Sequence, residues 1–229
     1  TATGANNGIW ITETDAVTLT TVTTADGIII LDSAGAMTVT NVSAGGTGRN
    51  LRLRTTSGGS NIDLGAAGSV SAAGDVVRLD ASGSITESTS ANKVTALSLI
   101  LLTGGSVASS ADPLNTTVTN LASNTPSGSV FVANTGSLTI NSLAFSGTVN
   151  GVSGGGAANI AATSPLTVNA NVTMGGDITL TAGESAGAGG DLTINTTFSV
   201  TSTGGNVLLQ RSEEHTSELQ SPYVISYAV

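Results

Sequence analysis

Cysteine is absent from this 229-residue chain, and tryptophan, tyrosine, histidine and lysine occur only once or twice. Without cysteine there is no disulfide framework and no thiolate nucleophile or metal ligand. The single histidine, His215, and both tyrosines, Tyr223 and Tyr227, fall within the last nineteen residues. Thr1–Gln210 therefore holds no imidazole for a Ser-His-Asp triad or a zinc site, and no metal or cofactor is expected. Basic residues are scarce too: Lys93 is the only lysine and the net charge is −9. Phosphate contacts need clustered Lys and Arg, so no nucleic-acid partner is expected. No apolar run approaches the roughly 18 residues of a membrane helix; the longest, Leu97–Leu102, includes a serine. No membrane insertion is expected within this stretch, and no signal peptide is visible at Thr1. The lack of cysteine leans toward export from the cell.

What remains is Gly, Ser, Thr, Asn and Ala, threaded with Val, Ile and Leu. Low-complexity polar chains often fail to fold, but the apolar residues here come in ordered pairs. The recurring unit is a turn residue followed by two large apolar residues separated by one small polar one. Gly175-Gly176-Asp177-Ile178-Thr179-Leu180, Gly189-Gly190-Asp191-Leu192-Thr193-Ile194 and Gly204-Gly205-Asn206-Val207-Leu208-Leu209 are close copies. Ile62-Asp63-Leu64, Val77-Arg78-Leu79 and Leu138-Thr139-Ile140 are looser ones. Period-two alternation bounded by Gly, Asn and Asp marks short strands with one buried face. No stretch carries a helical stripe with caps, so helix content should be close to nil.

Spacing separates the β architectures. From Leu166 the apolar pairs fall at 166/168, 172/174 and 178/180, then at 192/194, 198/200 and 207/209. Three strands followed by three more read as two successive coils with a repeat of about 26 residues, with the glycine-rich Gly183–Gly190 as a bulge between them. Upstream the pairs are less evenly spaced. Strands this short, with this few aromatics, favour an all-β parallel β-helix; tandem β-sandwiches, which use longer strands and larger core residues, are the alternative. Ser88–Ser127 is the least regular segment. Its Leu97–Leu102 run reads as a strand buried on both faces, and Pro113 and Pro126 mark loops or ladder edges.

The strings GGDITLTAG, GGDLTINTTFSV and TSTGGNVLLQ, with TTVTNLASNTPSGSVFVANTGSLTI upstream, resemble repeats of filamentous-haemagglutinin-like and autotransporter-type bacterial surface proteins. The resemblance covers most of Thr1–Gln210. It implies an all-β, right-handed parallel β-helix shaft, secreted or surface-displayed and used in adhesion, with a host-cell or matrix glycan or protein as partner, and it assigns no functional residue. Arg211–Val229 resembles something else: Arg211–Ser221 reads RSEEHTSELQS and Ile225–Val229 reads ISYAV, the translation of a common short-read sequencing adapter on either side of an index. Such a tail is set apart from the fold. It divides the chain into a repeat region, 1–210, and an adapter-derived tail, 211–229. Without the tail's three acids and one base, twelve acidic and five basic residues remain.

The densest charge cluster is Arg49, Arg52, Arg54, Asp63, Asp75, Arg78 and Asp80. Arg52 and Arg54 alternate with core leucines and so point outward, and Asp63 and Arg78 hold the same outward place in their own units. Stacked coils would align Arg52, Arg54, Asp63 and Arg78 into a mixed-charge strip. That strip reads either as a ligand-facing patch for a polyanion or glycan, or the Arg/Asp site of a polysaccharide lyase, or as a solvated face of weak ion pairs. Asp177 and Asp191 follow Gly-Gly in equivalent places, but tandem calcium-binding nonapeptides are absent; a turn-capping role fits them. Glu13, Asp80 and Glu87 are available for glycoside hydrolysis, without a spacing that favours it. The sequons at Asn41, Asn115, Asn171 and Asn195 are what a Thr- and Asn-rich chain produces by chance. The expected function is a non-catalytic shaft of an extracellular or bacterial cell-surface exoprotein; a carbohydrate-active β-helix enzyme is the alternative.

Overall fold

A computed structural model describes residues 2–5, 7–89, 91–183 and 190–211. Among them there is no helix. The strands stack in parallel as a β-solenoid of about eight turns, and tandem sandwiches are excluded. Each turn has three faces. The first is built by Ile9–Glu13, Ile29–Ser33 and Leu51–Thr55, then by the second halves of the long strands Ser69–Ala81 and Val94–Thr103. Asn120–Thr125, Val152–Gly154, Val172–Met174 and Val200–Ser202 complete it. The second face runs from Val17–Leu19 to Val207–Arg211. The third runs from Ala2–Ala5 to Leu192–Ile194.

Alternation decides which side chains enter the core. Along each strand every second residue points inward, and ladder register places it over its counterpart in the next turn. Leu31, Leu53, Leu79 and Leu101 form one such column, fully buried and in register. The next rung is Ser123, also fully buried, whose Oγ has no hydrogen-bond partner. The rod thus carries a narrow aliphatic core along its length, and the irregular 88–127 segment does not interrupt it. There Leu114–Thr117 pairs with Val94–Thr95 on one side and with Val132–Asn134 on the other. A face corner shifts at this point while the ladder runs on.

Short polar side chains bind the corners together. Asn61 Oδ1 accepts the backbone N–H of Ser84 (2.8 Å), Ser84 Oγ that of Ser106 (3.1 Å), Ser106 Oγ that of Ser129 (3.0 Å) and Ser129 Oγ that of Ala157 (3.0 Å). Asp177 takes the same part toward Asn206 N (2.7 Å). Inside the neighbouring bend, Ser33, Thr55 and Thr103 hydroxyls donate to the carbonyls of Asp15, Ser60 and Gly105 at 2.6–2.7 Å. The turn carbonyls and amides that strands leave over are thereby satisfied. Asn195 Nδ2 donates to Asn169 Oδ1 (3.0 Å), and Asn169 Nδ2 to Asn141 Oδ1 (3.3 Å), a three-rung asparagine ladder on another corner.

The last two turns correct the expected stacking in one respect. Leu166, Val168, Ile178 and Leu180 pair with Leu192, Ile194, Val207 and Leu209 as expected, but Val172 pairs with Val200 and Met174 with Ser202. Phe198 lies in the corner beforehand, partly buried against the core. The corner from Asn195 to Ser199 is longer than its counterpart Asn169–Asn171, so the repeat is not a constant 26 residues. Asp177 and Asp191 are also not equivalent: Asp177 precedes a second-face strand, Ile178–Ala182, and Asp191 a third-face strand, Leu192–Ile194. Most of the Gly183–Gly190 bulge and all but Arg211 of the tail lie outside the described residues.

Among the described residues, one element leaves the solenoid. Between Asn141 and Gly151, whose backbone N–H···O bond closes the neck (3.1 Å), Ser142–Ala144 and Thr148–Asn150 form the antiparallel pair of a β-hairpin. Its tip uses positive φ at Ser146 (54°) and Gly147 (115°), the second natural for glycine. The hairpin folds back over the outside of the first face. Val149 is buried there on Ile100 and Ala122, with Val76, Leu102, Leu143 and Phe145 packed around them. This second small core is why the Leu97–Leu102 run is apolar on both sides: Leu99 and Leu101 point inward, while Ile100 points outward under the hairpin.

Candidate functional site

The outward residues of the first face make two columns in ladder register. One reads Trp10, Ile30, Arg52, Arg78, Ile100, Ala122; the other Thr12, Asp32, Arg54, Asp80, Leu102, Asn124, Ser153, Thr173, Thr201. Arg52, Arg54 and Arg78 therefore do come together. Asp63 does not join them: its strand, Ile62–Asp63, is on the second face, between Thr38 and Thr86. There its Oδ1 accepts the Gly65 amide and the Thr86 hydroxyl, both at 3.0 Å. Equal place within a sequence unit does not give equal place around the rod, because the units alternate among three faces.

The arginines are held rather than free. Asp32 receives Arg52 Nη2 on both oxygens (3.0 and 2.9 Å) and Arg54 through Nε and Nη2 (3.1 and 2.8 Å). Arg78 Nη2 donates to Asp80 Oδ2 (3.0 Å), while its Nη1 donates to the hairpin-tip carbonyls of Phe145 (2.8 Å) and Ser146 (3.0 Å). Arg52 Nη1 reaches the Ser146 hydroxyl at 3.2 Å. The two arginines thus latch the hairpin tip, with the Arg78 side chain only 10% exposed. Arg49 Nε pairs with Asp26 (2.6 Å), whose hydrogen bond raises the guanidinium's pKa further. Asp75 accepts the Gly48 and Arg49 amides (2.8 and 2.9 Å). Four arginines meet four aspartates, so the strip is locally neutral and offers little to a polyanion. Nε of both Arg52 and Arg78 is buried without a partner.

Beside the hairpin lies a groove. The hairpin covers the Arg78–Ile100–Ala122 column and leaves the Asp80–Leu102–Asn124 column open as a floor. Arg78, Leu102, Asn124, Asn150 and Ser153 line its hairpin side, and Asp80 and Ser82 its corner side. The sequence carries a signal for this wall, the alternating Leu143 and Phe145 before the turn dipeptide Ser146-Gly147 and the single apolar Val149 after it. It carries none for where the hairpin lands.

The remaining acids are dispersed. Glu13 Oε1 accepts the amide of Thr14. Glu87 follows the second-face strand Ile85–Thr86, away from Asp80 on the first face. Its Oε1 accepts Asn115 Nδ2 (2.9 Å) and N (3.2 Å), while Oε2 is buried with no partner. Burial lifts its pKa to about 7 against the Asn115 bonds; Asp112 raises it and Lys93 lowers it. Lys93 is itself 1% exposed and donates to the carbonyls of Gly65 (2.7 Å) and Ala66 (2.8 Å). Of the sequon asparagines, Asn115, Asn171 and Asn195 make side-chain hydrogen bonds between turns. No three His, Cys, Asp or Glu side chains gather to hold a metal ion among the described residues. Comparison with protein-family models, curated proteins and solved structures finds no match.

Proposed function

We propose that Thr1–Gln210 is a segment of the shaft of a bacterial exoprotein, secreted or displayed at the cell surface, which holds an adhesive region at a distance and does no catalysis. The observation that carries this reading is the outward surface of the third face. It stacks Thr23, Ser43, Ser71, Thr95 and Thr117 in one ladder register, and Thr139, Thr167 and Thr193 in a second that meets Asn120 rather than Thr117. A β-branched or small polar residue repeated at each rung keeps a strand surface soluble and regular while contributing no chemistry. Continuous parallel hydrogen bonding along the axis resists extension, as a spacer requires. The resemblance to filamentous-haemagglutinin-like repeats points the same way.

The enzymatic alternative needs two carboxylates facing one scissile bond across roughly 5–10 Å. Asp80 lies on the first face with one oxygen on Arg78, and Glu87 sits beyond a different face, so the two do not face one bond. Two measurements test the proposal. Displayed between a surface anchor and an epitope, the segment should raise the epitope by about 4 nm, eight rungs at ~4.8 Å. The purified chain should leave bacterial and plant polysaccharides intact; cleavage abolished by Asp80→Asn or Glu87→Gln would overturn the shaft reading.

A further inference from the structure

The second outward column of the first face is not uniform. It carries threonine at its ends (Thr12, then Thr173 and Thr201), and beside the hairpin it changes to Asp80, Leu102, Asn124 and Ser153. We propose that this hairpin-flanked groove binds a neutral pyranose residue, making the shaft itself a saccharide-binding surface.

The donors and acceptors are free where such a ligand would need them. Asp80 gives only Oδ2 to Arg78, leaving Oδ1 to accept from a hydroxyl. The exposed Asn124 amide, at the other end of the floor, both donates and accepts. Asn150 spends its Oδ1 on the Ser142 hydroxyl (2.6 Å), which leaves Nδ2 as a donor from the wall. Between Asp80 and Asn124 lies one aliphatic residue, Leu102, half-buried in the floor. Asp80 and Asn124 are two rungs apart, about 9–10 Å at ~4.8 Å per rung. That spacing accommodates one sugar ring with its C–H face on Leu102 and a hydroxyl hydrogen-bonded at each end.

Charge selects against the other ligands. Both terminal nitrogens of Arg78 are occupied, by Asp80 and by the hairpin carbonyls, so no cation is presented to a uronate or sulfate, and the Asp80 carboxylate repels one. An extended peptide would find no backbone partners, because the floor strands are already paired on both sides. Preorganisation is built in: Arg78 is fixed by three hydrogen bonds and in turn fixes Asp80.

The test is amide-resolved NMR of the full chain titrated with methyl glycosides of glucose, galactose, mannose and N-acetylglucosamine, alongside methyl glucuronide. At least one neutral glycoside should shift the side-chain amides of Asn124 and Asn150 with a dissociation constant in the millimolar range. The exposed substitution Asn124→Leu should weaken it roughly tenfold or more, and Asp80→Asn should also weaken it, while Thr173→Val on the same column leaves it unchanged. Shifts absent for every neutral glycoside, tighter binding of the glucuronide, or binding that survives both floor substitutions would each overturn the proposal. None of these outcomes bears on the shaft reading, which rests on the third face and is tested separately by display height and polysaccharide cleavage.

Discussion

Ile100 provides a direct measure of what the hairpin contributes. Its side chain points away from the solenoid core yet is fully buried, because Val149, Leu143 and Phe145 close over it. Threonine is the residue found at many outward positions of this rod, so Ile100→Thr changes little but the hairpin contact. In the intact chain it removes aliphatic volume from a packed site and buries a hydroxyl, at a cost of about 2–3 kcal/mol. The control is a chain in which Ser142–Asn150 is replaced by a single alanine. Asn141 and Gly151 already meet at the neck, and one turn later Asn169-Ala170-Asn171 spans the same corner. In that background Ile100 faces water, and the same substitution should fall within about 0.5 kcal/mol of neutral. Urea unfolding of the four chains followed by circular dichroism yields the coupling, expected at about 1.5–3 kcal/mol. An equal cost in both backgrounds would refute the hairpin as the cover of Ile100.

Three further outcomes follow from particular residues. A Cβ at Gly128 would run into the backbone carbonyl of Gly105 in the turn below, so Gly128→Ala should cost at least about 2 kcal/mol in thermal or urea unfolding. Glu87 has a folded pKa raised to about 7 against an ordinary 4.5; the unfolded chain therefore ionises first. Stability is full below about pH 4.5 and falls as pH rises through 7, by roughly 1–2 kcal/mol after allowance for partial exposure. Glu87→Gln should flatten that profile, and an unchanged slope would remove Glu87 as its source. Deleting Arg211–Val229 should leave the urea midpoint of the repeat region unchanged within about 0.5 kcal/mol. The ion pair of Arg211 with Asp191 at 3.2 Å joins side chains 50% and 72% exposed, and such pairs contribute little; Arg211 is only the last rung of its strand, opposite Ala182.

The strands, their inward residues and the parallel coil were legible in the chain because each depends on a few neighbours. In Leu51-Arg52-Leu53-Arg54, alternation alone sends the leucines in and the arginines out, and both leucines are fully buried. Leu97–Leu102 likewise announced a strand covered on two sides, which holds at Leu99, Ile100 and Leu101, while Leu97 at its start is 45% exposed. What local pattern does not encode is which face a strand joins and which turn lies beneath it, since corner length sets both. The two-residue excess between Asn195 and Ser199 moves Val200, not Phe198, over Val172, and three-fold alternation of faces takes Asp63 away from Arg52 and Arg78. The groove depends on still longer range. Arg78 meets Phe145 and Ser146 across 67 and 68 residues, a contact that exists only once three turns of solenoid stand between them. Sequence by itself determined a rod of short parallel strands, because burying one face of a strand is a local matter. Tertiary structure alone decided where a hairpin lies on that rod and which polar side chains it leaves open, because those positions are the sum of every corner between.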